Sequence, residues 1–215
     1  KLNTSYEINK RQKLSSFPTL LQQKITPADY NQLVTPKKYI NDEIVNYCFT
    51  LIAVIYSDST KCMSSFFVAN LLNLKSSLYT NNNYAHLSTD NSKVRECSRT
   101  DRIFIPVHFN SNHWFLIVVD VLHRKLLYVD SLSCREGKQF VEKHCQTIIQ
   151  KLAHNCKLCF NVPFSVVEVP CFRQKNLYDC GAYTIWNAIL LLSQSCLTLE
   201  IPNVRQEVQK WFEYV

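Results

Sequence analysis
The chain has 215 residues, 47% of them hydrophobic, and a formal net charge of +7 from scattered lysines and arginines; this supports one large domain able to bury a core of its own. Only two glycines are present, Gly137 and Gly181, which excludes a glycine-rich phosphate loop or a dinucleotide fingerprint, since each needs several glycines close together. The leucine-rich runs are too short or too broken by polar residues to span a membrane, and Lys1 heads no charged-then-apolar leader.

A soluble chain is therefore expected, and its start at Lys1 is consistent with a fragment trimmed from a longer protein. A domain of this size does not need its ten cysteines as disulfide staples, which points to a reducing compartment. The basic balance suits an acidic protein partner or a nucleic acid, and charge alone does not choose between them.

In chain order, residues 1–24 read as an N-terminal arm of mixed polarity. "ITPADYNQL" follows as a short helical turn, with Thr26 as N-cap and Pro27 at the first helical position. "NDEIVNYCFTLIAVIYS" opens on Asn41 as a cap, with Asp42 and Glu43 complementing the helix dipole. Its Ile44, Val45, Cys48, Phe49, Ile52 and Ala53 recur at helical spacing and predict a core-facing helix. The polar stretch from Thr80 to Arg102 reads as loop or irregular helix.

The period then changes. "RIFIPV", "WFLIVVDV" and "KLLYVD" are short β-branched and aromatic runs that predict three strands. "GKQFVEKHCQTIIQKLA" predicts an amphipathic helix, "FSVVEVP" a fourth strand, and "DCGAYTIWNAILLLSQ" a helix apolar on nearly every side. "NVRQEVQKWFEYV" closes the chain as an amphipathic helix. Helices before and after a run of strands indicate an α+β fold with a central mixed sheet flanked by helices.

If Asp179 caps the buried helix, Cys180 lies at its N-terminus, where free N–H groups and the dipole stabilise a thiolate. A thiolate nucleophile is usually paired with an imidazole that a third group orients, and needs donors for an oxyanion. His113 opens one strand and Asp130 closes the next, so a hairpin over 120–125 brings them to adjacent strand ends. Gln174, six residues before Cys180, carries an amide able to donate to an oxyanion. Singly, each residue has a plain alternative: a core histidine, a small hydrophobe, a turn-forming carboxylate.

The order of "NSNHW", "YVDSL" and "FRQKNLYDCG" resembles the ubiquitin-like-modifier-specific cysteine proteases, the sentrin/SUMO family distantly related to the adenovirus protease. "ITPADYNQLVTPKKYINDEIVNYCFTLI" is similar to that family's opening segment and "SSFF" to a following motif, extending the likeness over about residues 25–215. The resemblance implies a papain-like fold in a single catalytic domain, with Cys180 as nucleophile, His113 as general base and acid, Asp130 as its orienter and Gln174 as oxyanion donor. It implies no metal and no cofactor.

The same resemblance makes Trp114 one wall of a narrow tunnel that admits only a side-chain-free Gly-Gly tail. Tyr39 stands where the family has the tryptophan of the other wall. Asp42 corresponds to a residue that pairs with an arginine of the modifier, although a helix-dipole carboxylate explains it equally well, and Phe66 corresponds to a contact residue. Lys175 and Leu177 depart from the family's proline and glycine in the loop before the cysteine.

The implied activity is cleavage after the terminal Gly-Gly of a ubiquitin-like modifier, SUMO first, by a monomer acting on the modifier and its conjugates without nucleic acid or membrane. The expected address is nuclear or cytoplasmic, or a host cell if the chain is a secreted effector. Alternatives are the cullin modifier or ubiquitin as substrate, or a non-catalytic modifier-binding domain. A zinc-stabilised module is a further reading of "HNCKLC" at 154–159, but one Cys-x-x-Cys supplies only two ligands.

Overall fold
The computed structural model describes residues 25–56, 59–72, 100–156 and 163–214. The N-terminal arm expected over 1–24, nearly all of the polar stretch 80–102 and the end of the 154–159 motif lie outside the described residues.

Helix α1 spans Pro27–Val34 and begins as its sequence predicts: Thr26 and Asp29 form a reciprocal capping box, with proline in the first turn. Asn41 caps α2 (Asp42–Ile55) through the Ile44 amide. Its side-chain amide also donates to Asp29, so one residue joins the two helix starts.

Five strands follow: β1 (Thr60–Cys62), β2 (Arg102–Phe109), β3 (His113–Asp120), β4 (Lys125–Val129) and β5 (Ser165–Glu168). They form one sheet in the order β1-β2-β3-β4-β5. The two outer pairings are parallel and the two inner ones antiparallel, so the sheet is mixed as expected. Strand β1 was not legible in the sequence, because three residues carry too little alternation. Pro106 is tolerated inside β2 because β1 pairs only with Arg102–Phe104 and leaves no donor to supply beyond them.

Every residue of β3 is buried, as befits a central strand covered on both faces. Alternate residues serve two cores. Trp114, Leu116 and Val118 face α2 and helix α5 (Cys180–Leu192), together with Phe49, Ile52, Ala182 and Ile185. Phe115, Ile117 and Val119 face helix α4 (Arg135–Cys156), with Val141, Ile148 and Leu152. The short helix α3 (Phe66–Leu71) adds Val68 to this second core, and α6 (Val204–Tyr214) adds Val204 and Val208 to the first.

The expected cap of α5 is corrected by the structure. Asp179 occupies the N-cap position but its side chain makes no capping hydrogen bond. Its carboxylate is taken instead by Arg205 and Asn176.

Candidate active site
The antiparallel β3–β4 pair, with Leu116 opposite Val129, brings the start of one strand beside the end of the other. His113 and Asp130 occupy those ends, and His113 Nε2 lies 3.0 Å from Asp130 Oδ1. Both are buried. The turn delivering His113 runs through Asn110 and Ser111 in left-handed backbone, which asparagine tolerates better than most residues.

Asp130 is held on every side. It accepts from Tyr128 Oη at 2.7 Å, and from the Leu132 and Cys134 amides at 2.8 Å each. Burial alone pushes its pKa up, but the His113 pairing and these donors outweigh burial and hold the carboxyl below its ordinary value. Burial likewise works against charge on His113. The hydrogen bond and charge of Asp130, with a contribution from Cys180, overcome it and raise the imidazole to about 9.

Cys180 is the first residue of α5 and is fully buried. With Nε2 of His113 facing Asp130, the remaining ring nitrogen, Nδ1, is sealed from solvent without a fixed hydrogen bond. Cys180 lies close enough to the ring to contribute to its raised pKa. Gln174 is buried too, and its backbone N–H donates to the Ser131 carbonyl at 3.0 Å. The Ser131 hydroxyl donates to Gln174 Oε1 at 2.5 Å, which fixes the amide so that its nitrogen faces away from Ser131. The four residues expected to form the centre thus come from β3, the β4 end, the 171–179 loop and the α5 N-terminus.

Trp114 is almost wholly buried. Its indole donates to the Ile40 carbonyl at 3.1 Å, and His108 stacks on it with centroids 4.2 Å apart. Tyr39 is next in sequence to Ile40 and 54% exposed, so the tryptophan hydrogen bond ties the two aromatic residues to one corner of the fold. Asp42 accepts from Ser65 Oγ at 3.1 Å and lies 3.7 Å from His108 Nδ1. Phe66, half-buried, follows Ser65 at the start of α3. Asp42 and Phe66 are thereby joined through one serine.

Sequence reasoning missed Tyr128, Ser131, Asn176, Arg205 and His108. Tyr128 was within reach of it, since a residue two before Asp130 on a strand shares its face. Ser131, Arg205 and His108 make contacts between segments distant in sequence, whereas Asn176 bonds within its own loop, to Gln174, Tyr178 and Asp179. Among the described residues there is no group of three or more His, Cys, Asp or Glu placed to hold a metal, and no helix is long and apolar enough to cross a membrane.

Residues 38–211 match the family model described as the Ulp1 protease family, C-terminal catalytic domain. The chain belongs to that family. The ubiquitin-like-specific protease 1 of Saccharomyces cerevisiae is 28% identical over 168 residues, covering 77% of this chain and 25% of that protein. The ubiquitin-like-specific protease 1A of Arabidopsis thaliana is 28% identical over 163 residues, covering 70% of this chain and 31% of that protein. This chain accordingly spans about a quarter to a third of these relatives' length. The solved structure of the C-terminal Ulp1 protease domain in complex with SMT3, the yeast ortholog of SUMO, has a TM-score of 0.60 at 20% identity, with 93% of this chain and 88% of that one covered. The Ulp1 family thus accounts for the α+β architecture and for the domain that carries it.

Proposed function
We propose that this domain is a cysteine protease that cleaves after the C-terminal Gly-Gly of a ubiquitin-like modifier, with SUMO as the preferred one. The observation that carries the reading is the buried His113–Asp130 pair, with Nδ1 unpartnered beside a cysteine at a helix N-terminus. Family membership, the ubiquitin-like-specific names of the relatives and the solved Ulp1 domain in complex with the yeast ortholog of SUMO support the substrate.

The Cys180 Sγ–H proton passes to His113 Nδ1 and the thiolate attacks the carbonyl carbon of the modifier's terminal glycine, while the Gln174 amide and the Cys180 backbone N–H hold the oxyanion. His113, kept charged by Asp130, gives its Nδ1 proton to the leaving lysine amine as the C–N bond breaks. A thioester remains on Cys180. His113 then takes a proton from water, which attacks the thioester and releases the modifier with a free carboxylate and the thiol restored. A peptide α-amine leaves in the same way, so deconjugation and precursor maturation are one reaction.

Trp114 and Tyr39 act as the tunnel that selects a side-chain-free tail, and Asp42 and Phe66 as contacts to the body of the modifier. Cys48, Cys62, Cys134, Cys145, Cys171, Cys180 and Cys196 are unpaired, which supports work in a reducing intracellular compartment, nuclear or cytoplasmic.

The test is cleavage of a SUMO–lysine isopeptide and of a C-terminally extended SUMO by wild type and Cys180→Ala. Cleavage of both, lost in the variant, is expected. Turnover of only the cullin modifier or ubiquitin would reassign the substrate, and none at all from folded protein would leave a modifier-binding domain.

A further inference from the structure
Arg205, at the start of α6, is buried, and its guanidinium reaches into the loop that leads to Cys180. Nε donates to Asp179, while Nη2 donates to the Tyr178 carbonyl at 3.0 Å and to the Lys38 carbonyl. Nη1 donates to the carbonyls of Gln32, Leu33 and Thr35 at 2.7, 3.2 and 3.3 Å. One rigid fork therefore fastens the segment before Tyr39 to the segment before Cys180, which a lysine's single ammonium cannot do.

The other carboxylate oxygen of Asp179 accepts from Asn176 Nδ2 at 2.7 Å. Asn176 Oδ1 in turn accepts from the Tyr178 and Asp179 amides at 3.1 and 3.0 Å, closing a tight loop. The carbonyl of this same Asn176 accepts from Gln174 Nε2 at 2.6 Å. Ser131 holds the opposite end of that amide. An amide nitrogen carries two hydrogens, so one is spent on Asn176 and the other is left to point elsewhere, in a direction the first one dictates.

We infer that the Asn176–Asp179 pair, clasped by Arg205, is a positioning device that aims the Gln174 amide at the reacting carbonyl. It also explains why Asp179 does not cap α5. A capping carboxylate would occupy first-turn N–H groups and set a negative charge beside the sulfur, whereas Arg205 and Asn176 hold it away. The donors at the helix start stay available to the oxyanion. The inference rests on the protease reading above.

The test exchanges the two partners. Asn176→Asp keeps the acceptor for the Tyr178 and Asp179 amides but sets two carboxylates against each other. Asp179→Asn sets two amide donors face to face. Each single variant is expected to lower kcat by about tenfold or more, with KM within about threefold, as for loss of alignment of an oxyanion donor. The double exchange restores a donor–acceptor pair and is expected to recover kcat to within about threefold of wild type. In a Gln174→Ala background, Asn176→Asp should cost less than about twofold, because a residue acting through Gln174 has little left to act on.

Full kcat in Asn176→Asp, no recovery in the exchange, or an undiminished cost without Gln174 would each overturn the inference. A readout independent of turnover accompanies these: the Gln174 side-chain amide protons, assigned by their loss in Gln174→Ala, are protected from hydrogen exchange in wild type and in the exchanged protein, and unprotected in the single variants. Equal protection in all four would overturn the relay even if the protein hydrolyses nothing, whereas an inactive wild type with the expected protection pattern contradicts only the protease reading.

Discussion
Nε2 of His113 lies 3.0 Å from Oδ1 of Asp130, with both side chains buried. Asp130 both orients the ring and organises the turn after β4, since it accepts from the Leu132 and Cys134 amides as well. The two duties separate by substitution. Asp130→Asn keeps an acceptor oxygen for only one of the two turn amides, which bond to different carboxylate oxygens, and loses the charge that sustains the imidazolium; it is expected to lower kcat by about 10²–10⁴ with a smaller fall in Tm than truncation to alanine. Asp130→Ala strands the amides and should lower Tm clearly, as read by thermal unfolding.

The raised pKa of His113 makes stability depend on pH with a definite sign. Between its ordinary value of 6.5 and its folded value of about 9, the folded protein binds a proton that the unfolded chain releases. The contribution is fully present below pH 6.5 and is lost as pH rises through about 9, on the order of 3 kcal/mol in all. Asp130, with its lowered pKa, has the opposite sense: its contribution is present above the ordinary 3.8 and is lost as the solution is acidified. Denaturant unfolding of wild type and His113→Ala at pH 6 and pH 9.5 checks the histidine, and the wild-type advantage is expected to shrink at the higher pH.

Both glycines are fixed by close approach. A Cβ on Gly181 would lie 3.0 Å from Ile40 Cβ and 3.3 Å from Trp114 Cδ1, and one on Gly137 would lie 2.7 Å from Tyr128 Oη. Alanine in a helix is ordinarily favoured over glycine by about 1 kcal/mol. Here the sign reverses: Gly181→Ala is expected to destabilise by about 1–3 kcal/mol, measured by urea unfolding, and to lower activity by displacing Trp114.

Tyr128→Phe removes the hydroxyl whose single proton is given to Asp130 at 2.7 Å, with the Cys134 carbonyl 3.1 Å from the same oxygen. Burial, first of all, keeps that phenol protonated well above its usual range. The variant should lose about 1–2 kcal/mol of stability and several-fold in kcat, because Asp130 loses a restraint while keeping its charge.

The placement of His113, Asp130 and Cys180 was legible because they stand at element ends that short-range signals mark: His113 after a polar turn, Asp130 after an apolar strand, Cys180 at the head of an apolar helix. The helices α2 and α5 and the strands β2, β3 and β4 were legible from their periods. Strand β1 was not, since its three residues gain their identity from parallel pairing with Arg102–Phe104, 42 residues away in sequence. The reading of Asp179 as a cap followed local rules and failed because Arg205, 26 residues on, competes for the carboxylate. Arg205 itself resembled any basic residue of an amphipathic helix until the fold set backbone carbonyls around it.

The most direct measurement of the central claim is covalent capture. SUMO, the cullin modifier and ubiquitin, each carrying a C-terminal propargyl group, are incubated with wild type and with Cys180→Ala, and adducts are mapped by mass spectrometry. An adduct with SUMO in preference to the other two is expected, located on Cys180 and absent from the variant. An adduct on a different cysteine, or none with any of the three from well-folded protein, would contradict it.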